Sequence, residues 1–296
     1  MIDVSIIIVN YNTKELTASC INSILNFTTG INYEIILVDN NSNDGSQLLF
    51  RHNTKIRFIE SDKNLGFGKA NNLGYKYAKG KYIFLLNSDT LLQNNAIKIF
   101  FDHAESCHSS IGCWGTILLN QKNEKIHSFG KFPSIHRDLI YELLLPIYKL
   151  LKYNPESKIE YQIRKPTYVD YITGADLFIR KEIIDEIGFF DPNFFLYYEE
   201  TDIQYNYKKN GYLSQIIIEP QIVHLEGGSQ ALKKSNLNRS LIILDSKLYF
   251  FSKWNSHIIF IIYCIVLFII RIPFLLFSKY SLKEKHKYIK TLFKWI

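Results

Sequence analysis

At 296 residues, 47% of them hydrophobic, the chain is long enough for a large core and too apolar to be disordered. Its 35 Lys and Arg against 28 Asp and Glu leave +7, which suits nucleic acid, an anionic bilayer or a phosphorylated substrate without choosing among them. Cys20, Cys107, Cys113 and Cys264 form no CxxC pair and no evenly spaced framework, which argues against a zinc or disulfide scaffold and for a reducing, cytoplasmic setting.

The opening MIDVSIIIVN lacks the basic start, long apolar run and cleavage site of a secretory signal, and begins a strand directly. Short β-branched runs predict strands at residues 4–9, 33–39, 56–60 and 82–86, with helices between them at 15–27, 45–51 and 67–78. Continuous apolar strands alternating with helices define a mainly parallel α/β sheet covered on both faces. Such sheets bind ligands at the carboxyl ends of their strands. Here those ends read Asn10-Tyr11-Asn12, Asp39-Asn40-Asn41-Ser42, Asp62-Lys63-Asn64 and Asn87-Ser88-Asp89. All are polar, and three carry an Asp. A carboxylate such as Asp89 closing a buried strand suits a hard divalent cation that bridges nucleotide phosphates. Taken singly, each of these residues also reads as an ordinary turn or cap.

Further along, a helix is expected at 95–105, strands at 111–119 and 125–129, and a helix at 139–152 within an irregular segment, 133–166. A strand at 168–179, a helix at 181–187, a turn at 188–192, a helix at 199–210 and a strand at 213–218 follow. Glu199, Glu200 and Asp202 open the helix at 199. Acidic residues there favour the helix dipole, yet three exceed what a cap requires. Their proximity raises at least one pKa above about 4.3 and makes it a better base near neutrality. Phe194, Phe195, Tyr197 and Tyr198 read either as platforms for sugar faces or as core. Glu226-Gly227-Gly228-Ser229 reads as a flexible loop or a simple turn.

Residues 255–270 carry no Asp, Glu, Lys or Arg, and apolar character resumes after Arg271 through Phe277 before a lysine-rich tail. A span needs about 20 apolar residues, and Arg271 and Pro273 interrupt this one. Basic residues flank both sides, so the expectation is an interfacial or re-entrant attachment with lysines meeting anionic headgroups, the alternative being a terminal helix packed on the domain or on another subunit. The chain therefore divides into an α/β domain, 1–230, with halves at 1–92 and 93–230, and a C-terminal helical region, 231–296, expected to associate with a membrane.

SIIIVNYN, LVDNNSNDGS, DKNLGFGKANNLG, LLNSDT, the stretch from Ile172 to Tyr212 and VHLEGGS together resemble the nucleotide-sugar glycosyltransferases of family 2, which share the GT-A fold. The nearest flavour is that of bacterial rhamnosyltransferases of surface-polysaccharide assembly. The resemblance implies a sugar moved with inversion from a nucleoside-diphosphate donor, such as dTDP-rhamnose or a UDP-sugar, to a lipid-linked or glycan acceptor at the cytoplasmic face of a bacterial membrane. It places Asn87-Ser88-Asp89 where Asp-x-Asp binds metal, with Asp89 and His224 holding Mn2+ or Mg2+. Asn87 replaces the usual first Asp and weakens that charge. The donor set becomes Asn10, Asn12, Asp39, Asp62, Asn64, Gly66, Asn87 and Asp89. Glu200 is ranked first as base and Glu199 second, while Gly174, Ala175, Asp176 and Asp202 form the acceptor side. Oligomeric state is left open.

Two rival classes remain. A non-catalytic nucleotide-sugar-binding scaffold on the same fold would have no need of both the Asp cluster and the acidic helix start. A dinucleotide-dependent oxidoreductase needs a glycine-rich turn where this chain has Asn10-Tyr11-Asn12-Thr13. Nucleic-acid binding is disfavoured, because the lysines gather in the tail beside an apolar run.

Overall fold

The structure is a computed structural model that describes residues 1–151, 163–225, 236–278 and 280–296. The first half alternates strand and helix: β1 (Val4–Asn10), α1 (Lys14–Phe27), β2 (Tyr33–Asp39), α2 (Ser46–Phe50), β3 (Arg57–Glu60), α3 (Phe67–Tyr75), β4 (Tyr82–Leu86). Then come β5 (Thr90–Leu92), α4 (Ala96–Ser106), β6 (Ile111–Thr116), β7 (Phe129–Gly130) and α5 (Ile135–Leu150). β8 (Thr167–Val169), β9 (Tyr171–Ile172), β10 (Asp176–Arg180), α6 (Lys181–Ile187), α7 (Glu199–Lys209), β11 (Leu213–Ile217) and β12 (Ile222–His224) complete the sheet region. Three helices follow: α8 (Asn236–Trp254), α9 (His257–Phe277) and α10 (Leu282–Leu292).

The main sheet has eight strands in the order β3-β2-β1-β4-β10-β6-β11-β8. β3, β2, β1 and β4 are mutually parallel, as their unbroken apolar runs predict. β10 is antiparallel to both β4 and β6, and β6 resumes the parallel direction with β11. The sheet is thus mainly parallel with helices on both faces, as expected. The single strand expected at 168–179 is instead three short pieces, β8, β9 and β10, in two different sheets. Of the strand at 125–129 only the Phe129–Gly130 end forms, with Lys125 making an isolated bridge to Leu119. The helix expected at 139–152 starts earlier, at Ile135.

One sheet face packs on α1 and α4 through Ile6, Phe84, Phe100, Trp114 and Phe178; the other packs on α3 and α7 through Ile7, Leu85, Ile179 and Tyr207. Phe178 stacks on Tyr82 and Phe100 at centroid distances of 5.0 and 5.4 Å, and meets Phe84 and Trp114 edgewise or tilted. A third cluster, Phe194, Leu248, Phe251, Tyr263 and Leu267 among its members, ties α8 and α9 to the loop before α7. All four cysteines are unpaired, as expected.

Replacing Phe178 by Ala removes the ring on which four aromatic neighbours close, and should destabilise the fold by about 3–5 kcal/mol. Urea denaturation checks this; a loss below about 1 kcal/mol would show that the stack collapses around the gap.

Candidate active site

Three strand exits and one strand entrance meet on a single rim. β1 ends at Asn10, β2 at Asp39 and β4 at Leu86, all running the same way. β10 runs against them, so its first residue, Asp176, lies opposite Leu86. The Gly174-Ala175 turn that precedes it therefore arrives beside the β4 exit, where the Asn87 N–H donates to the Ala175 carbonyl at 3.0 Å.

On the donor side of this junction, antiparallel pairing of β12 with β5 sets His224 opposite Thr90. The Leu225 N–H then donates to the Asp89 carbonyl at 2.8 Å, and His224 Nε2 stands 3.1 Å from Asp89 Oδ1 and 3.5 Å from Asn87 Nδ2. An octahedral Mn2+ or Mg2+ with donors at about 2.1 Å separates neighbouring ligands by about 3.0 Å, so this carboxylate–imidazole pair fits one edge of such a cation. Among the described residues no third His, Cys, Asp or Glu completes a protein-only cage. A small hard cation is ordinarily held by one or two side chains plus phosphate and water oxygens, so two suffice. A cavity of about 310 Å3 opens beside His224, walled by Asn120, Lys122, Glu124 and Leu225. Glu226-Gly227-Gly228-Ser229, expected as a loop here, lies outside the described residues.

The remaining donor residues divide by accessibility. Asn10 is fully buried and saturated: its Nδ2 donates to Asp39 Oδ1 at 2.6 Å and to Ser42 Oγ, while its Oδ1 accepts from Thr13 and Thr17. No atom of Asn10 is left for a donor, so its role is to aim Asp39 rather than to bind. Asp39 is itself buried, its other oxygen accepting from the Ser42 N–H and Gln47 Nε2, and it shapes the rim from beneath. Asn12 is half-buried with a left-handed φ of 54°, its Oδ1 accepting from the Asn43 N–H. Asp62 is exposed at the lip, and Asn64 Oδ1 accepts from Asn40 Nδ2 and the Gly66 N–H.

Gly66 joins the two halves. With φ at 79°, a Cβ placed there would lie 2.0 Å from the Phe195 carbonyl oxygen, an approach that only glycine permits. The next N–H, that of Phe67, donates to that same carbonyl at 3.0 Å.

The acidic helix faces this junction. A Cβ on Gly174 would meet the Phe67 ring at 3.1 Å and Glu200 Cβ at 3.8 Å. From Asp89 the path runs through Asn87 and Ala175 to Gly174 and Glu200 without leaving the rim. Glu199 is 2% exposed, with Oε2 lacking any hydrogen-bond partner, whereas Glu200 is half-buried. Burial pushes the Glu199 carboxyl well above the carboxylate range, and the neighbouring Glu200 pushes it further. Burial also raises Glu200, opposed by backbone N–H groups and by the charge of His127.

Two expected acceptor residues are buried and engaged elsewhere. Asp176 is completely buried on the first residue of β10, its Oδ2 accepting from the Thr116 N–H at 2.6 Å while Oδ1 has no hydrogen-bond partner, so it braces β10 against β6. Asp202 is 2% exposed and points away from the glutamates, accepting from Lys253 Nζ and Trp254 Nε1, both at 2.7 Å. It joins α7 to α8 instead of orienting Glu200. Of the aromatics, Phe194 belongs to the core, Phe195 is exposed beside Gly66, and Tyr198 packs on Phe250 of α8. Tyr197 and Tyr198 both have φ of 70°, a left-handed conformation that costs bulky residues about 1–3 kcal/mol each.

Two further residues, unmarked by any motif, join the candidate site. Gln204 locks α7 to β9: its Oε1 accepts from the Ile172 N–H, and its Nε2 donates to the Ile172 and Glu200 carbonyls. His127 is brought opposite Gly174 by the β7–β9 pairing, in which Phe129 faces Ile172 and the Thr173 N–H reaches the Ser128 carbonyl. A polar residue on a helix face and a lone His in an aperiodic stretch carry no signal of their own.

A mainly parallel sheet with a nucleotide-type rim, an Asp–His pair and a facing acidic helix is the architecture of a GT-A glycosyltransferase. The family model Glycosyl transferase family 2 matches residues 5–188, and the chain belongs to that family. It is similar to the low-salt glycan biosynthesis hexosyltransferase Agl10 of Haloferax volcanii, 26% identical over 212 residues that cover 70% of this chain and 62% of that protein. It is also similar to the N-acetylglucosaminyl-diphospho-decaprenol L-rhamnosyltransferase of Mycobacterium tuberculosis, 23% identical over 64% of this chain and 66% of that one. Less than two thirds of either relative is thus matched. The crystal structure of GalNAc-T7 with UDP, GalNAc and Mn2+ shares the fold, with a TM-score of 0.57 at 17% identity over 85% of this chain and 50% of that one.

Lys253→Met should leave the buried Asp202 carboxylate without its cation and destabilise the protein by about 2–3 kcal/mol. The double variant with Asp202→Asn should recover part of that loss in urea melts. Equal stability of Lys253→Met and wild type would mean that Trp254 alone satisfies Asp202.

Proposed function

We propose that the chain transfers a sugar, with inversion, from a nucleoside diphosphate to an acceptor hydroxyl, using Glu200 as base. The observation that carries this reading is the single rim on which Asn87 meets Ala175, which favours the Asp89–His224 pair and Glu200 serving opposite ends of one reacting bond. Asp89 and His224 would hold the divalent cation, Mn2+ or Mg2+, which when bound offsets the negative charge of the departing diphosphate. Glu200 Oε accepts the acceptor hydroxyl proton while that oxygen bonds to the anomeric carbon. The carbon–oxygen bond to the donor phosphate breaks, and its electron pair leaves on the phosphate oxygen. One base suffices, unlike the paired carboxylates of glycoside hydrolysis.

Glu199, deeper and more strongly raised, supports the base from behind: kept protonated, it adds no second negative charge beside Glu200. Gly174 keeps the approach to Glu200 open, and Asn12, Asp62, Asn64 and Gly66 line the donor edge. The name of the mycobacterial relative favours a lipid-linked acceptor and a rhamnose donor, and that of the Haloferax relative a hexose donor. The helices after residue 236 are then read as the attachment to the cytoplasmic face of the membrane that carries the acceptor.

Glu200→Gln should lower kcat by about 10^3 while donor affinity stays within about twofold, because the lost group acts only on the acceptor. Retained turnover would transfer the role to Glu199. Asp89→Ala should abolish Mn2+-dependent donor binding in calorimetry, and affinity indifferent to chelator in wild type would exclude the cation. Since the base must be ionised and its pKa is raised above 4.5, kcat/KM should fall as pH drops through a value higher than 4.5. His127→Ala removes a charge that lowers this pKa, so the same limb should move to higher pH. A limb at or below 4.5 would show that a different group titrates.

A further inference from the structure

The polarity of α5 is inverted. Its acids point inward: Asp138 accepts from Lys247 Nζ of α8 at 2.8 Å and from the Tyr263 hydroxyl of α9 at 2.6 Å. Glu142, one turn on and 4% exposed, accepts from Arg271 Nη2 of α9 at 2.6 Å, with Lys247 at 3.4 Å. The opposite face carries Ile140, Leu143, Ile147 and Leu150 at helical spacing, with Leu143 59% and Ile147 50% exposed. A helix facing water places its charges outside and its leucines inside.

The adjoining helix α9 repeats the arrangement. Arg271, which interrupts its apolar run, is turned inward to Glu142, while Ile258, Ile262, Ile265, Ile269 and Leu276 form an outward stripe, Ile258 71% and Ile269 61% exposed. α9 is 21 residues long and, by length and composition, apolar enough to cross a membrane, but only 28% of its apolar window is buried by the rest of the chain. The inward Arg271 ties it along α5. Residues 255–296 carry seven Lys and Arg against one Glu, and α10, where Lys283 and Lys290 are exposed, packs on α9.

We propose that α5 joins α9 in one lipid-facing layer, seated in the interfacial zone of an anionic bilayer with their aliphatic faces among the acyl chains and the α10 lysines at the phosphates. This rests on the membrane attachment read above for the C-terminal helices and extends it to a helix inside the catalytic region. The excess of positive charge beside the apolar faces selects anionic lipid over a second copy of this chain, whose identical lysines would repel.

The test is co-sedimentation of the full chain with phosphatidylcholine vesicles containing or lacking phosphatidylglycerol. The wild type should pellet with the anionic vesicles, and Leu143→Glu/Ile147→Glu in α5 should reduce the bound fraction at least tenfold, as should Ile262→Glu/Ile269→Glu in α9. Gel filtration and thermal melting report whether each variant is folded. In the unmodified protein, a phosphatidylglycerol bearing a photoreactive acyl chain should label peptides from both 140–151 and 258–276. Unchanged binding of the α5 variant, with labelling confined to 258–276, overturns the proposal and leaves the C-terminal attachment standing. A lipid-free dimer that both variants dissociate, with no vesicle binding by the wild type, overturns both. Donor turnover toward a detergent-solubilised acceptor should persist in every variant, so loss of binding is separable from failure of the transferase reading.

Discussion

The site depends on one strand running the wrong way. Were β10 parallel to β4, its first residue would sit at the far edge of the sheet and the Gly174-Ala175 turn would never meet Asn87. The antiparallel register, Asp176 opposite Leu86 and Phe178 opposite Phe84, is fixed by the side chains on its two faces. Phe178 enters the aromatic stack while Leu177 and Ile179 enter the opposite core, so a slip of one residue would exchange them and bury the wrong set. Stability and catalytic geometry here are consequences of the same pairing. The buried Asp176, bound to the Thr116 N–H, marks where that pairing begins.

How far the sequence foretold this can be judged element by element. The four parallel strands announce themselves because both faces are buried and each reads as an unbroken apolar run; their polar ends follow. The stretch from Tyr168 to Ile179, expected as one strand, divides at Asp170 and at Thr173-Gly174-Ala175, and local pattern carries no information about which partner each piece pairs with. The same limit explains Asn10, Asp176 and Asp202. A polar residue beside a ligand and a polar residue satisfying a buried backbone or cation look identical in one dimension, and only the partners, Asp39, Thr116 and Lys253, tell them apart. Motif order brings Asp89 and Glu200 into one candidate site, whereas His127 depends on a two-residue strand that no periodicity reveals.

The glutamate pair shows why order within the helix matters. Two adjacent carboxylates opening α7 receive the same dipole, but Glu199 turns inward and Glu200 toward the rim. Deeper burial raises the inner group more, so the two titrate apart and one proton can reside on Glu199 while Glu200 is ionised. The backbone before them is held in left-handed geometry at Tyr197 and Tyr198, and neither tyrosine would keep it unaided. Phe250 packs on Tyr198 and Arg239 lies over the Tyr197 ring at 5.7 Å, both from α8.

That last contact gives the C-terminal helices a second task. α8 clamps the strained tyrosines, pairs Lys253 with Asp202 two residues beyond Glu200, and receives through Lys247 the acids of α5. A force applied to the outer faces of α5 and α9 is therefore transmitted through buried ion pairs, which resist displacement because separating them strands a charge in a dry interior. Seating those faces in a bilayer would fix α8, and α8 fixes the turn that aims Glu200. An acceptor approaching along the membrane plane would then meet Glu200 at a position set from the same plane, since the proposed lipid-facing helices and α7 share one scaffold.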